Sequence, residues 1–138
     1  MRIIDPIAHI RSHRDTYLPA SGDISIYLAQ RLSADAMVLG ANEVDVVRSG
    51  DWWSVAADID WLAKPCPCAV EKLFNQVIPF PETGPNAMRS EILLTAFARD
   101  VITSDERGMK VIKGESALGQ EILASNSREW ARVVKFRM

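Results

Sequence analysis

From Glu43 to Leu62 (EVDVVRSGDWWSVAADIDWL) apolar and polar positions alternate with a period of two, the pattern of a half-buried strand. A two-residue turn at Ser49-Gly50 folds this stretch into a hairpin, with Arg48 opposite Asp51, Val46 opposite Trp53 and Val44 opposite Val55. That register sorts the side chains. One face takes Val44, Val46, Trp53, Val55, Ala57, Ile59 and Trp61, and the other takes Glu43, Asp45, Val47, Trp52, Ser54, Ala56, Asp58 and Asp60. The first is expected to face a core, the second to be an acidic surface with one aromatic residue on it.

The flanking chain alternates helical and extended signals. Asp5-Pro6 is a helix start, because proline at the first helical position has no amide hydrogen to leave unpaired. The spacing predicts a short helix from Ile7 to about Arg14. Asp23 then caps a second helix, Ile24 to about Ala36, whose stripe is Ile24, Tyr27, Leu28, Arg31 and Leu32. The prolines of AKPCPC make a loop, Ala69 to about Val77 has helical spacing, and IPFPETGPN is a proline-rich crossing. The run from Ser90 to Thr103 is compatible with a helix or a long strand. The strand is preferred, because SDERG and MKVIKG follow it as a turn and a partner strand. Ser116 is expected to cap a short helix through Leu123, and Trp130 to Phe136 to form a fifth strand. The sum is a single α+β domain over residues 1–138: an antiparallel sheet of about five strands, two N-terminal helices, and short helices inserted between the strands.

Composition narrows the function classes. With 16 basic and 18 acidic residues the chain has a formal charge of -2, so it lacks the overall basic footprint of a nucleic-acid or anionic-membrane binder. The charge is unevenly distributed, however. From Leu32 to Ala63 the acids are Asp35, Glu43, Asp45, Asp51, Asp58 and Asp60 against Arg48 alone, which suits a basic partner. No apolar run has the length of a membrane span or a signal core, and Cys66 and Cys68, separated by Pro67, read as reduced thiols, so a cytoplasmic location is expected.

Four patterns invite a chemical reading. Glu43, Asp45, Asp58 and Asp60 on one face could hold a divalent cation or act as general acid and base, yet charges also belong on any solvated sheet face. With Trp52 among them they form a candidate partner-binding surface, since a buried aromatic is a common interface anchor. His9 and His13, four apart on a helix, could bind zinc together with Cys66 and Cys68, or pair with either thiol for nucleophilic catalysis. The C-x-C spacing and the lack of a nucleophile elbow argue against both. Arg132, Lys135 and Arg137, with Trp130 and Phe136, could meet nucleic acid, but guarding an exposed strand against edge pairing is the simpler role. No catalytic residue, metal site or cofactor is assigned.

Two stretches, GDWWSVAADIDWL (Gly50 to Leu62) and PFPETGPNAMRSEILLTAFARDVITSD (Pro79 to Asp105), resemble bacterial immunity proteins, the small inhibitors paired with polymorphic or contact-dependent growth-inhibition toxins. The resemblance covers under a third of the chain and assigns no residue roles. It implies a non-enzymatic blocker that covers a cognate toxin's active site with an acidic surface, here Glu43, Asp45, Trp52, Asp58 and Asp60. The alternatives are a small metal-dependent or Cys/His hydrolase, and a homodimeric module pairing through Trp52 and the last strand.

Overall fold

Both aspartates expected to start helices do so. The structure, a computed structural model, describes residues 5–63, 70–85, 87–105, 108–114 and 130–138. In it the Asp5 carboxylate accepts the Ile7 and Ala8 amides and Pro6 opens helix α1 (Pro6–Ser12), while Asp23 accepts the Ser25 amide at the start of α3 (Ile24–Val38). A single turn, α2 (Arg14–Tyr17), lies between them. The chain continues through β1 (Val44–Ser49), β2 (Trp52–Ala57), α4 (Val70–Asn75), α5 (Glu91–Phe97), β3 (Asp100–Asp105), β4 (Gly108–Lys113) and β5 (Arg132–Arg137). Cys66, Cys68 and the helix expected from Ser116 to Leu123 lie outside the described residues.

The five strands form one antiparallel sheet in the order β1-β2-β5-β3-β4. The fold is therefore α+β, with two hairpins and a final strand inserted between them. Strand β5 is central, which corrects the expectation that its cations guard an exposed edge. Arg132 and Lys135 are buried, at 5% and 3% exposure, because β2 and β3 flank them.

The first hairpin also differs from expectation, by two residues. Its pairs are Val44↔Ala57, Val46↔Val55 and Arg48↔Trp53, so the turn is Gly50-Asp51. Gly50 takes φ 61° and, among the described residues, no non-glycine residue, Asp51 included, has positive φ, the arrangement of a type II′ turn with glycine at its first central position. An offset of two keeps every side chain on its face, whereas an offset of one would have exchanged the faces. Val55, Ala57 and Trp61 are buried in the main core as expected, together with Val101, Val134 and Phe136 of the neighbouring strands and Leu28, Leu32, Leu73 and Phe74 of α3 and α4.

Residues 91–97 are helical, and only the β-branched end of the Ser90 to Thr103 run is a strand. An uninterrupted apolar run carries no period to separate the two states, and α5 is buried on every side: Ile92, Leu93 and Leu94 are at most 2% exposed. Each such side chain contributes about 1.5–3 kcal/mol of burial. The C-terminal carbonyls of α5 meet two cations. Lys113 Nζ donates to Thr95 O at 3.0 Å and Ala98 O at 2.7 Å, and Arg11 Nε donates to Ala96 O at 2.7 Å. Burial, and then the charge of Arg11, hold the Lys113 ammonium below the usual lysine range.

Candidate functional site

The five residues proposed from the sequence as one acidic surface fall into three places. Glu43, Asp45 and Asp58 gather at the open end of the first hairpin. Asp45 is paired with Ala56, and the Asp58 amide donates to Glu43 O at 3.2 Å, extending the ladder by one step past Val44. Glu43 and Asp45 are exposed, and the half-buried Asp58 carboxylate accepts the Asn42 amide at 3.0 Å. Trp52 sits at the other end of the hairpin, opposite Ser49. It is half-buried, with the Arg137 guanidinium 5.0 Å from its ring centroid, and Asp100 holds that guanidinium through Nε at 2.7 Å.

Asp60 is elsewhere. Strand β2 ends at Ala57 and the chain bends through Asp58 and Ile59, so alternation stops and Asp60 leaves the face. Its carboxylate binds Arg132 in two-point fashion, Nε to Oδ1 and Nη2 to Oδ2, both at 2.8 Å. Arg132 also donates to Thr103 Oγ1 at 3.2 Å and to Asp105 at 3.4 Å. This forked geometry ties the end of β2 to β5 and β3, and it leaves the guanidinium committed to the protein. Arg132, Thr103, Asp105 and Lys110 line an open cavity of ≈ 240 Å³, where Lys110 is ion-paired with Glu71.

Nor is the rest of that sheet face a solvated acidic surface. Its middle carries Ala56, Ile102, Val133 and Lys135, all at most 4% exposed. Burial pushes the Lys135 ammonium below the usual lysine range. The two-residue alternation in the first hairpin could not reveal this, because the neighbours of β2 come from the other end of the chain.

The two histidines lie side by side, as their spacing implies, although His13 is just past the end of the helix that carries His9. Helix α1 stops at Ser12, and His13 is the cap between α1 and α2, its Nδ1 within 2.9 Å of His9 O. Their exposed rings stack at 4.2 Å between centroids. Among the described residues no three His, Cys, Asp or Glu side chains are placed to hold a metal ion, and no helix is long and apolar enough to cross a membrane.

A buried polar group went unrecognised in the sequence. Arg89 (1% exposed) holds Glu91 (0%) at 2.7 Å and donates to Trp61 O at 3.3 Å. Asp35, on α3, accepts the Ser90 amide at 3.3 Å beside them. Burial, reinforced by the charge of Glu91, pushes its carboxyl up from 3.8 to about 6. A signal existed: Leu28, Leu32 and Asp35 fall on one helical stripe, placing an acid on an apolar face.

One surface open to a partner is the outer rim of the first hairpin. Among the described residues strand β1 has one neighbour only, β2, and five of its six residues are exposed. Val46 and Val47 are 40% and 47% exposed, on opposite faces of the strand, and Glu43, Asp45 and Asp51 are exposed along the same hairpin. The only cation of β1, Arg48, lies over the Trp53 ring at 5.3 Å and 3.9 Å from Asp23. The chain matches no protein-family model, no curated protein and no solved structure.

Proposed function

We propose that this chain is a non-enzymatic binding protein of the immunity kind, which neutralises a cognate toxin in the cytoplasm by occupying part of its surface. The observation that supports this reading is the rim of the first hairpin. There Glu43 and Asp45 share a sheet face with the exposed Val47, Asp58 stands at the hairpin's open end, and Val46 is exposed on the opposite face of the same edge strand. Acidic charge speeds association with a basic cleft, and the valines supply apolar area that is withdrawn from water on contact. Trp52 extends the contact along the hairpin. Asp60, clasped by Arg132, acts by fixing the end of β2.

The test starts from affinity capture in the source cells, followed by titration of the captured protein's activity with the purified chain. Stoichiometric inhibition is expected, weakened at least tenfold by the double change Glu43→Lys, Asp45→Lys, which reverses two exposed charges. Unchanged inhibition by that variant would remove this rim as the contact surface, and capture of no inhibitable protein would remove the immunity reading.

A further inference from the structure

The two edges of the sheet are not equivalent. Strand β4 carries Lys110 and Lys113, and its pairing with β3 shifts register between Val101 and Ile102. Lysines and bulges are the devices that keep an edge from recruiting another strand. Strand β1, reading VDVVRS, has no lysine, proline or bulge and pairs with β2 in unbroken register over six residues. Its edge is a ready template for an incoming strand.

The register says which atoms are on offer. Ser49 and Trp52 close a two-residue turn, so they form a hydrogen-bonded pair, as do Val47 with Ser54 and Asp45 with Ala56. The amides and carbonyls of Val44, Val46 and Arg48 therefore point away from β2, along the open edge. Among the described residues no hydrogen bond reaches them. An added antiparallel strand would bond at these three positions. It would meet Asp45 and Val47 at the closely approaching, non-hydrogen-bonded positions, where cross-strand side chains interact most.

Charge selects the occupant. A second copy of this chain, paired antiparallel about Val46, would set Asp45 beside Val47 and diagonal to the other Asp45. Its one cation on β1, Arg48, would stand on the opposite sheet face, already placed over Trp53. Such pairing gathers like charge and gains no ion pair. A foreign strand with a basic residue opposite Asp45, a second opposite Glu43 and apolar residues opposite Val46 and Val47 satisfies all four positions.

Resting on the binding reading above, we infer that the partner is bound by strand addition to β1, through an extended segment carrying two basic residues at alternate positions beside an apolar pair.

A capped peptide of about six residues with that pattern is the probe, titrated into the full chain and followed by amide resonances and hydrogen exchange. Protection of the Val44, Val46 and Arg48 amides is expected. Val46→Pro removes an outward amide without touching the β1–β2 ladder, and is expected to weaken the peptide about tenfold or more. A peptide N-methylated at the bonding positions must fail on the wild-type chain, which keeps the test independent of how the proline variant folds. A glutamate-for-lysine peptide must bind at least about tenfold more weakly. Strand addition falls if the peptide does not bind at millimolar concentration, if it protects other amides, or if Val46→Pro or N-methylation leaves affinity unchanged. It falls also if the chain protects these amides by self-association. If Val46→Pro inhibits the captured partner normally while the Glu43→Lys, Asp45→Lys variant does not, the rim remains the contact surface and only the strand-addition mode is lost.

Discussion

At the residue scale, the buried acid at the α3–α5 contact sets a pH dependence. The Asp35 carboxyl is raised from 3.8 to about 6, so between those values the folded state holds a proton that the unfolded chain has released. Its contribution to stability is complete below pH 3.8 and is lost as pH rises through about 6, with an upper limit of about 3 kcal/mol. Asp35→Asn should therefore gain stability relative to wild type between pH 4 and pH 7 in denaturant titrations. Equal differences at the two pH values would exclude an ionising Asp35 as the cause. Two glycines give a contrast of a different kind. Gly50 (φ +61°) has open space around it, so Gly50→Ala should cost about 1 kcal/mol for backbone conformation alone. A Cβ at Gly114 (φ +99°) would lie 1.9 Å from Asp100 Oδ1, in the carboxylate that holds Arg137. Gly114→Ala should cost about 3 kcal/mol, read as a larger drop in thermal midpoint. The aspartate caps were legible because a cap is local chemistry. The Arg89–Glu91 pair was not, since an arginine two residues from a glutamate says nothing of burial until Phe80 and Trp61 close over it.

Elements show where a local pattern suffices and where it stops. The alternation from Glu43 onward sorted the residues of the first hairpin onto their two faces correctly through Ala57, even with the turn one residue too early at each position, because the faces depend only on odd or even offset. Burial did not follow from the faces, since Val46 of the expected core face is 40% exposed and Ala56 of the other is 3% exposed. It failed at Asp60, where β2 had already ended. A paired test follows from the same register. Val47→Pro removes an amide directed at β2 and should cost about 3 kcal/mol or more, whereas Val46→Pro removes one directed at solvent and should cost much less. Similar losses of thermal midpoint in the two variants would contradict the assigned register. For α5 the sequence held both answers. Its apolar run is consistent with helix or strand, and what selects helix is a site enclosed by α1, α3, α4 and β3, with Lys113 and Arg11 placed to receive its last carbonyls.

For the molecule as a whole, stability should be graded across the sheet. The central strands β2, β5 and β3 carry the buried residues Val55, Val134, Phe136 and Val101, while β1 is exposed along most of its length. Amide exchange should therefore be slowest in β5 and its neighbours and fastest at the outward amides of β1. Uniform protection across the five strands would count against β1 as an open edge. Association with the proposed basic partner should also weaken as salt rises, since Glu43 and Asp45 are exposed and screened. The sequence alone determined whatever depends on neighbours in the chain: the capped helices, the two hairpins, the faces of β1 and β2, and hence the α+β class. Only the tertiary structure decided which strands lie side by side. Placing β5 between the hairpins buried its cations, took Asp60 out of the acidic surface to pair with Arg132, and filled the middle of the second face with Ile102 and Val133. It also left β1 at the edge. Strand order is set by contacts between residues far apart in the chain, 75 positions for Ala57 and Arg132, and no periodicity within a single stretch of chain carries that information.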